Sequence, residues 1–284
     1  MNGNMDGLDT DSTALPPLSD RSSAAALARR VEEASLNAWP ALQQLLYDGW
    51  LLRFAGGFTK RANAIVPLYP GALPVAEKMA FCDALYRRAH LKTIVRLASV
   101  HPLGNLDDHL ASDGYERIDP TEVLAATVDA RDRRADDFVE TSPDEWLTIY
   151  GRLANMPAEA GMLHGALLKG IRLPCVFGAI VDHGEPLACG LAVVEQDLVG
   201  LFDIVTHRQQ RRRGYGRRLV SSLMCCGERL GAATAYLQVL ADNAPALALY
   251  ERLGFAPLYR YWYRVSEVPV RYHPSGATGE SSRS

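Results

Sequence analysis

The stretch that most limits what this chain can become runs from Gly200 to Phe255, GLFDIVTHRQQRRRGYGRRLVSSLMCCGERLGAATAYLQVLADNAPALALYERLGF. The apolar run Leu201 to Val205 reads as a strand, and a basic loop punctuated by glycine follows from Arg208 to Gly216. Residues Arg217 to Leu230 have helical periodicity, and Ala235 to Leu240 is a second β-branched, apolar run. Asp242 or Asn243 can cap a short helix with Pro245 in its first turn, which Gly254 ends. In the loop, Gly214 and Gly216 allow close backbone approach to a ligand, because no Cβ intervenes. The first N–H groups of the helix behind it lack intrahelical acceptors and sit at the positive end of the dipole. Five arginines between Arg208 and Arg217 add to that field. A strand–loop–helix junction of this kind suits an anion, and a diphosphate in particular.

Neither GxxxxGK[ST] nor GxGxxG is present, since Gly216 is followed by Arg-Arg-Leu. Arg211-Arg212-Arg213-Gly214-Tyr215-Gly216 instead resembles the acetyl-CoA loop of the GNAT acetyltransferase superfamily, [RQ]xxGx[GA]. Asn243, seven residues before Tyr250, and the closing YERLGF run strengthen the resemblance. It implies an acetyl-CoA cleft between two splayed parallel strands. Ile204, Val205 and Thr206 would meet the pantetheine amides; Arg211, Arg212, Arg213, Gly214, Tyr215, Gly216 and Arg217 would surround the diphosphate. It further implies that Asn243 contacts the cofactor and that Tyr250 protonates the departing thiolate. A cap and a core tyrosine are the plainer readings of those two residues.

The general base is less defined. The family's Glu five residues before the Asn is replaced by Gln238, and its position early on the cofactor strand is Gly200. Glu195 and Asp203 are the nearest carboxylates, His164 is a further option, and a water chain would also serve.

The first half of the chain repeats the second in outline. Ser22 to Leu46 reads as a helix kinked before Pro40 and ended by Gly49-Trp50. Trp50 to Ala55 and Arg61 to Leu68 read as strands, Pro74 to His90 as a helix, and Lys92 to Ala98 as a strand. Leu106 to Ser112 then forms a helix closed by Gly114, and Glu122 to Val128 a strand. Ile65-Val66 stands to Gly114-Tyr115 as Ile204-Val205 stands to Gly254-Phe255. The first unit's counterpart of the basic loop, Tyr69 to Pro74, has no arginine, and Leu110 takes the place of Tyr250. The expectation is an α/β (mixed α+β) protein of two GNAT-like units, each a central mixed sheet flanked by helices. Residues 23–130 would form a degenerate unit without a CoA loop and 131–272 the catalytic unit. Ser-, Gly- and Pro-rich tails at 1–22 and 273–284 would be disordered.

Between the units, Ala130 to Thr141 reads as a linker or exposed edge. Pro143 to Asn155 and Met162 to Lys169 read as helices, and 175 to 182 and 187 to 195 as a hairpin joined through His183 to Pro186. Arg260 to Val265 and Val268 to Tyr272 supply the last strands. Trp50, Arg53, Arg61 and Asn63, on strands beside Gly56-Gly57, are candidate substrate-binding residues; Arg53 and Arg61 could hold a carboxylate or simply bridge the units.

Net charge of −3 argues against a general nucleic-acid binder. No apolar run approaches ~20 residues, and the N-terminus has no signal-peptide pattern, so no membrane partner is expected. The five cysteines are scattered without metal-ligand spacing. They point to a reduced, cytoplasmic protein with no metal. The reading is an N-acetyltransferase using acetyl-CoA as co-substrate on a small primary amine by direct attack, working as a monomer or homodimer. A protein N-terminal or lysine acetyltransferase and a non-catalytic acyl-CoA sensor are the alternatives.

Overall fold

The computed structural model describes residues 24–128 and 134–266. The expected tails, the start of the linker and the strand at 268 to 272 lie outside them. Helix α1 (Ala24–Ala38) is followed by strands β1 (Gln43–Tyr47), β2 (Trp50–Phe54) and β3 (Ile65–Pro67), helix α2 (Val75–Arg88), β4 (Ile94–Ala98), α3 (Leu106–Ser112) and β5 (Tyr115–Thr127). The second half runs β6 (Phe138–Glu140), α4 (Pro143–Ala154), α5 (Ala158–Gly170), β7 (Cys175–Asp182), β8 (Glu185–Glu195), β9 (Leu198–Thr206), α6 (Tyr215–Arg229), β10 (Thr234–Leu240), α7 (Ala244–Arg252) and β11 (Ala256–Ser266).

All eleven strands form one sheet in the order β1-β2-β3-β4-β11-β5-β10-β9-β8-β7-β6. The halves mirror one another: β3 runs parallel to β4, as β9 does to β10. The closing strands are exchanged, however. β11 pairs with β4 of the first half, β5 pairs with β10 of the second, and β5 and β11 pair with each other at the centre. The two units therefore share a sheet.

Two stretches differ from the sequence reading. Residues 43–47 form a strand, not the end of a helix. Pro40 stops α1, and the two-residue turn Asp48-Gly49, both at positive φ (40° and 84°), folds β1 back so that Leu45 faces Leu52 and Tyr47 faces Trp50. Residues 60–62 form a 3-10 turn ahead of a short β3. The region read as a linker or edge supplies β6, the sheet's last strand.

One face of the sheet is covered by α1, α4 and α5, whose Val31, Trp146 and Leu167 join a core with Phe202 and Tyr236. The opposite face is covered in the second half by α6 and α7, through Leu219, Leu223 and Tyr250, and in the first half by α2 and α3. A charged group lies within the first face. Glu32 of α1 accepts from both terminal guanidinium nitrogens of Arg96 on β4 and from the Tyr259 hydroxyl of β11 at 2.6 Å. His101 Nε2 lies 3.7 Å from the same carboxylate. Burial alone would raise the pKa of Glu32, but the Arg96 charge and hydrogen bonds, helped by His101 and Tyr259, outweigh it and hold it low. The pair ties α1 to strands from both halves.

Candidate active site

The site lies where β9 and β10 part. Their parallel pairing runs from Leu198–Thr234 to Leu201–Leu237 and stops. Leu198 to Phe202 are buried, whereas Asp203 to Thr206 are partly exposed. A cleft thus opens at Ile204, Val205 and Thr206, the strand residues expected to meet pantetheine.

Beyond Thr206, a 3-10 turn at Arg208–Gln210 leads into the loop, and α6 starts at Tyr215. Arg212 (φ 64°) and Gly214 (φ 85°) take left-handed conformations that swing the chain into the helix. An added Cβ at Gly216 would stand 3.4 Å from Thr206 Oγ1 and from Leu249, in ordinary contact with β9 and α7, so a side chain here would project from the loop between them. Among the described residues, Arg211, Arg212, Arg213 and Arg217 pair with no carboxylate. Unpaired guanidinium groups around an uncapped helix N-terminus can receive a diphosphate. The splayed strands beyond can receive an amide-bearing arm, so the residues fit acetyl-CoA.

Asn243 caps α7, its Oδ1 accepting from the Ala246 N–H at 3.3 Å. Tyr250, on the same helix, is buried against Phe255. Burial pushes its phenol up to about 12.

The β8–β9 ladder carries one extra residue on β9, between the pairs Cys189–Val205 and Leu191–Phe202. Asp203 sits in this bulge at φ 51°. Regular alternation would send Phe202 and Asp203 to opposite faces. The bulge turns both toward α4 and α5, while Ile204 packs with the α6 core. Opposite the bulge, Gly190 leaves room for Ile204, which would lie 2.5 Å from an added Cβ. The Gly190 carbonyl accepts from the Trp146 indole at 3.0 Å, so it is satisfied outside the ladder. Asp203 Oδ2 lies 2.8 Å from Nε2 of His164, a buried residue of α5. Two base candidates that are 39 positions apart thus meet. Glu195 sits at the β8–β9 hairpin, at the opposite end of β9 from the cleft, where Asn37 Nδ2 donates to both its oxygens at 3.2 Å.

The four substrate-binding candidates separate. Arg53 is buried, its guanidinium donating to the carbonyls of Leu36, Trp39 and Arg61. Asn63 is also spent: Oδ1 accepts from Ala55 and Gly57, and Nδ2 donates to Phe58 and Thr59. Trp50 packs beneath the Lys78 ammonium, 4.3 Å from its ring centroid. The contacts of these three residues all lie within the first half. Arg61 alone of the four reaches the second half, at Gln238 and Phe202. Its guanidinium lies over Trp39 and donates to Gln238 Oε1 on β10 at 3.2 Å. It lines a cavity of about 230 Å³ with Thr59, Lys60, Asp119, Gln238, Tyr261 and Tyr263, in which Lys60 and Asp119 pair with each other at 2.8 Å. A larger, open cleft of about 450 Å³ lies across the loop, between Arg152, Glu185, His207, Gln210 and Arg213.

Trp146 and Tyr150, which complete the surroundings of His164, have no mark in the sequence beyond the periodicity of α4. Gln238 registers there only as a missing glutamate.

A family model described as "Probable histone acetyltransferase Rv0428c C-terminal" matches residues 25–264. The chain belongs to this family. Its match spans both halves and the exchanged strands. A Bacillus subtilis protein named uncharacterized N-acetyltransferase YobR is 26% identical over 245 residues, covering 84% of this chain and 98% of its own. The Mycobacterium tuberculosis probable histone acetyltransferase Rv0428c is 28% identical over 248 residues, 86% of this chain and 76% of its own. The ribosomal protein bS18-alanine N-acetyltransferase of Escherichia coli K12 is 37% identical over 90 residues, 31% of this chain and 61% of its own. Among solved structures, a GCN5-related N-acetyltransferase from Kribbella flavida superposes with TM-score 0.61 at 16% identity, covering 85% of this chain and 96% of the other. The protein is a GNAT-type N-acetyltransferase, an enzyme class that uses acetyl-CoA. Among the described residues, no helix is long and apolar enough to cross a membrane.

Proposed function

We propose that the acceptor is a small primary amine that also carries a carboxylate, an amino acid or a close analogue. The observation that carries this reading is Arg61. It is a half-buried guanidinium held by Trp39 and Gln238 and lying 5.8 Å from the Phe202 ring of β9, in a cavity of amino-acid size lined from β5, β10 and β11. Its remaining N–H donors suit a carboxylate, for which the planar fork is well matched.

Bound along the splayed strands, acetyl-CoA would supply an acetyl thioester. The N-terminus of α6 and Arg211 to Arg217 would hold its diphosphate, and the free edge of β9 from Ile204 to Thr206 its amide arm. The amine attacks directly. The cysteines near the site argue against an acyl-enzyme, since Cys189 is buried and burial pushes its thiol well above the usual range. Tyr250, protonated through neutral pH, would meet the departing sulfur as a hydrogen-bond donor.

The test is acetyl-CoA-dependent thiol release with a panel of amino acids and their decarboxylated amines. Arg61→Gln should raise KM for amino acids about tenfold to a hundredfold, the worth of a charge-assisted hydrogen bond. It should leave the decarboxylated amines little changed. Equal effects on both sets would remove the carboxylate from the proposal.

A protein N-terminus is the second reading, favoured by the open cleft in which Asp182 and Glu185 flank the loop. Turnover of peptides but not of free amino acids would select it.

A further inference from the structure

We infer that Asp203 and His164 act as one proton-accepting pair, with Asp203 toward the acceptor and His164 behind it. The inference rests on the acetyltransferase reading and supplies the base that the sequence lacks at Gly200 and Gln238.

The geometry is specific. Asp203 stands two residues past the last β9–β10 pair, where the cleft begins, and its side chain keeps 9% of its surface exposed. His164 keeps 1% and is enclosed by the rings of Trp39, Phe58, Trp146 and Tyr150, with centroids 5.0–5.9 Å away. Access to His164 from the cleft side therefore leads by way of Asp203. Neither His164 nitrogen, nor Asp203 Oδ2, has a partner in hydrogen-bonding alignment, although Nε2 and Oδ2 are 2.8 Å apart. Buried polar atoms left without aligned partners are costly, and a proton shared between Nε2 and Oδ2 would supply the bond. A non-glycine residue at φ 51° inside a strand is uncommon, and here the bulge brings a carboxylate to a histidine.

The groups facing the pair are few. Tyr150 of α4 approaches the Asp203 carboxylate, and burial followed by that negative charge holds its phenol protonated. Cys189 of β8 lies next to Asp203 and is kept protonated by burial. Arg61 is the cation nearby, acting on Tyr150.

In the reaction, the neutral amine nitrogen bonds to the acetyl carbon while the carbon–sulfur bond breaks. The surplus N–H proton passes to Asp203 and is shared with His164 Nε2. The thiolate leaves hydrogen-bonded to Tyr250 and takes a proton from solvent, and the pair returns its own to solvent after product departs. Protons and electrons balance without a further reactant.

The pair is tested first in the full-length protein by nitrogen-15 NMR of the imidazole side chains. The His164 Nε2 resonance should move when the facing carboxylate is replaced in Asp203→Asn, and a resonance indifferent to that change overturns the pair. If that variant does not fold, His164→Gln carries the test through the kinetics below. With an amino acid accepted in the thiol assay, Asp203→Asn should lower kcat about a hundredfold or more at unchanged acetyl-CoA Kd. His164→Gln should move the acidic limb of the pH–rate profile. A lower rate with the limb unmoved would assign His164 to structure alone and overturn the shared proton. If wild-type protein turns over no amine while the His164 resonance answers to Asp203→Asn, the acceptor proposal fails and the pair stands.

Discussion

At the scale of one residue, burial limits what the proposed acid Tyr250 could do. Its ring is enclosed by α6 and α7, and the low polarity there lifts the phenol to about 12. A thiol titrates near ~8.5, so full transfer of the phenolic proton to a thiolate would run uphill by roughly 3 units, whereas a hydrogen bond to the sulfur would not. Tyr250→Phe is therefore expected to lower kcat about tenfold to a hundredfold while acetyl-CoA binds as before, measured by thiol release and calorimetry. An unchanged kcat would leave Tyr250 as a packing residue.

At the scale of elements, the exchange of β5 and β11 has the clearest consequence. A fragment beginning at residue 131 would lack β5 and leave facing edges of β10 and β11 unpaired. Exposed edges of this kind template aggregation. Such a fragment should be insoluble or lack cooperative unfolding, as judged by size-exclusion chromatography and circular dichroism. A soluble monomer with a sharp transition would show that the second half folds alone. The exchange is not legible in the sequence, because strand–helix–strand order is the same whether the last strand returns to its own unit or crosses to the other. Local chemistry is far more legible. Gly214 and Gly216, the Asn243 cap and the two β-branched runs specify the loop, α7, β9 and β10 by short-range rules. The Asp48-Gly49 hairpin carries an equally local signal, yet helical periodicity on both sides of Pro40 masks it. The bulge at Asp203 leaves no trace in composition. Its cause is tertiary: Trp146 from α4 caps the Gly190 carbonyl, and Ile204 fills the space over Gly190. For the same reason Asp203 and His164 can be named separately from sequence but not as neighbours. Arg53 and Asn63 resemble ligands for a substrate because buried polar groups and binding groups are the same residue types. Only their partners, here backbone carbonyls and N–H groups, distinguish them.

For the whole molecule, the buried Glu32–Arg96–His101 group makes stability depend on pH. Burial, opposed by Glu32 and aided by Arg96, lowers the pKa of His101, so the unfolded chain binds its proton more readily than the folded one. The folded state is penalised increasingly as pH falls below the unfolded value of ~6.5. Glu32, held low in the fold, contributes stability above its unfolded value that is lost as pH drops through the folded one. Both effects have the same sign. The urea midpoint should be level above neutrality and decline on acidification, first through His101 and then through Glu32. A midpoint that rises between pH 7 and pH 5 would contradict this, at about the pH values where histidine and then carboxylate titrate. The central claim, that the arginine-glycine loop and the α6 N-terminus hold acetyl-CoA for transfer, is tested most directly by calorimetric titration of acetyl-CoA into the wild type and Gly216→Glu. A carboxylate in the first turn of a helix is favourable to the helix itself, so the variant should fold. Wild-type protein should bind, and the variant should bind at least about a hundredfold more weakly, a loss of ~2.7 kcal/mol. Equal affinity in the two proteins would place the cofactor elsewhere and contradict the account.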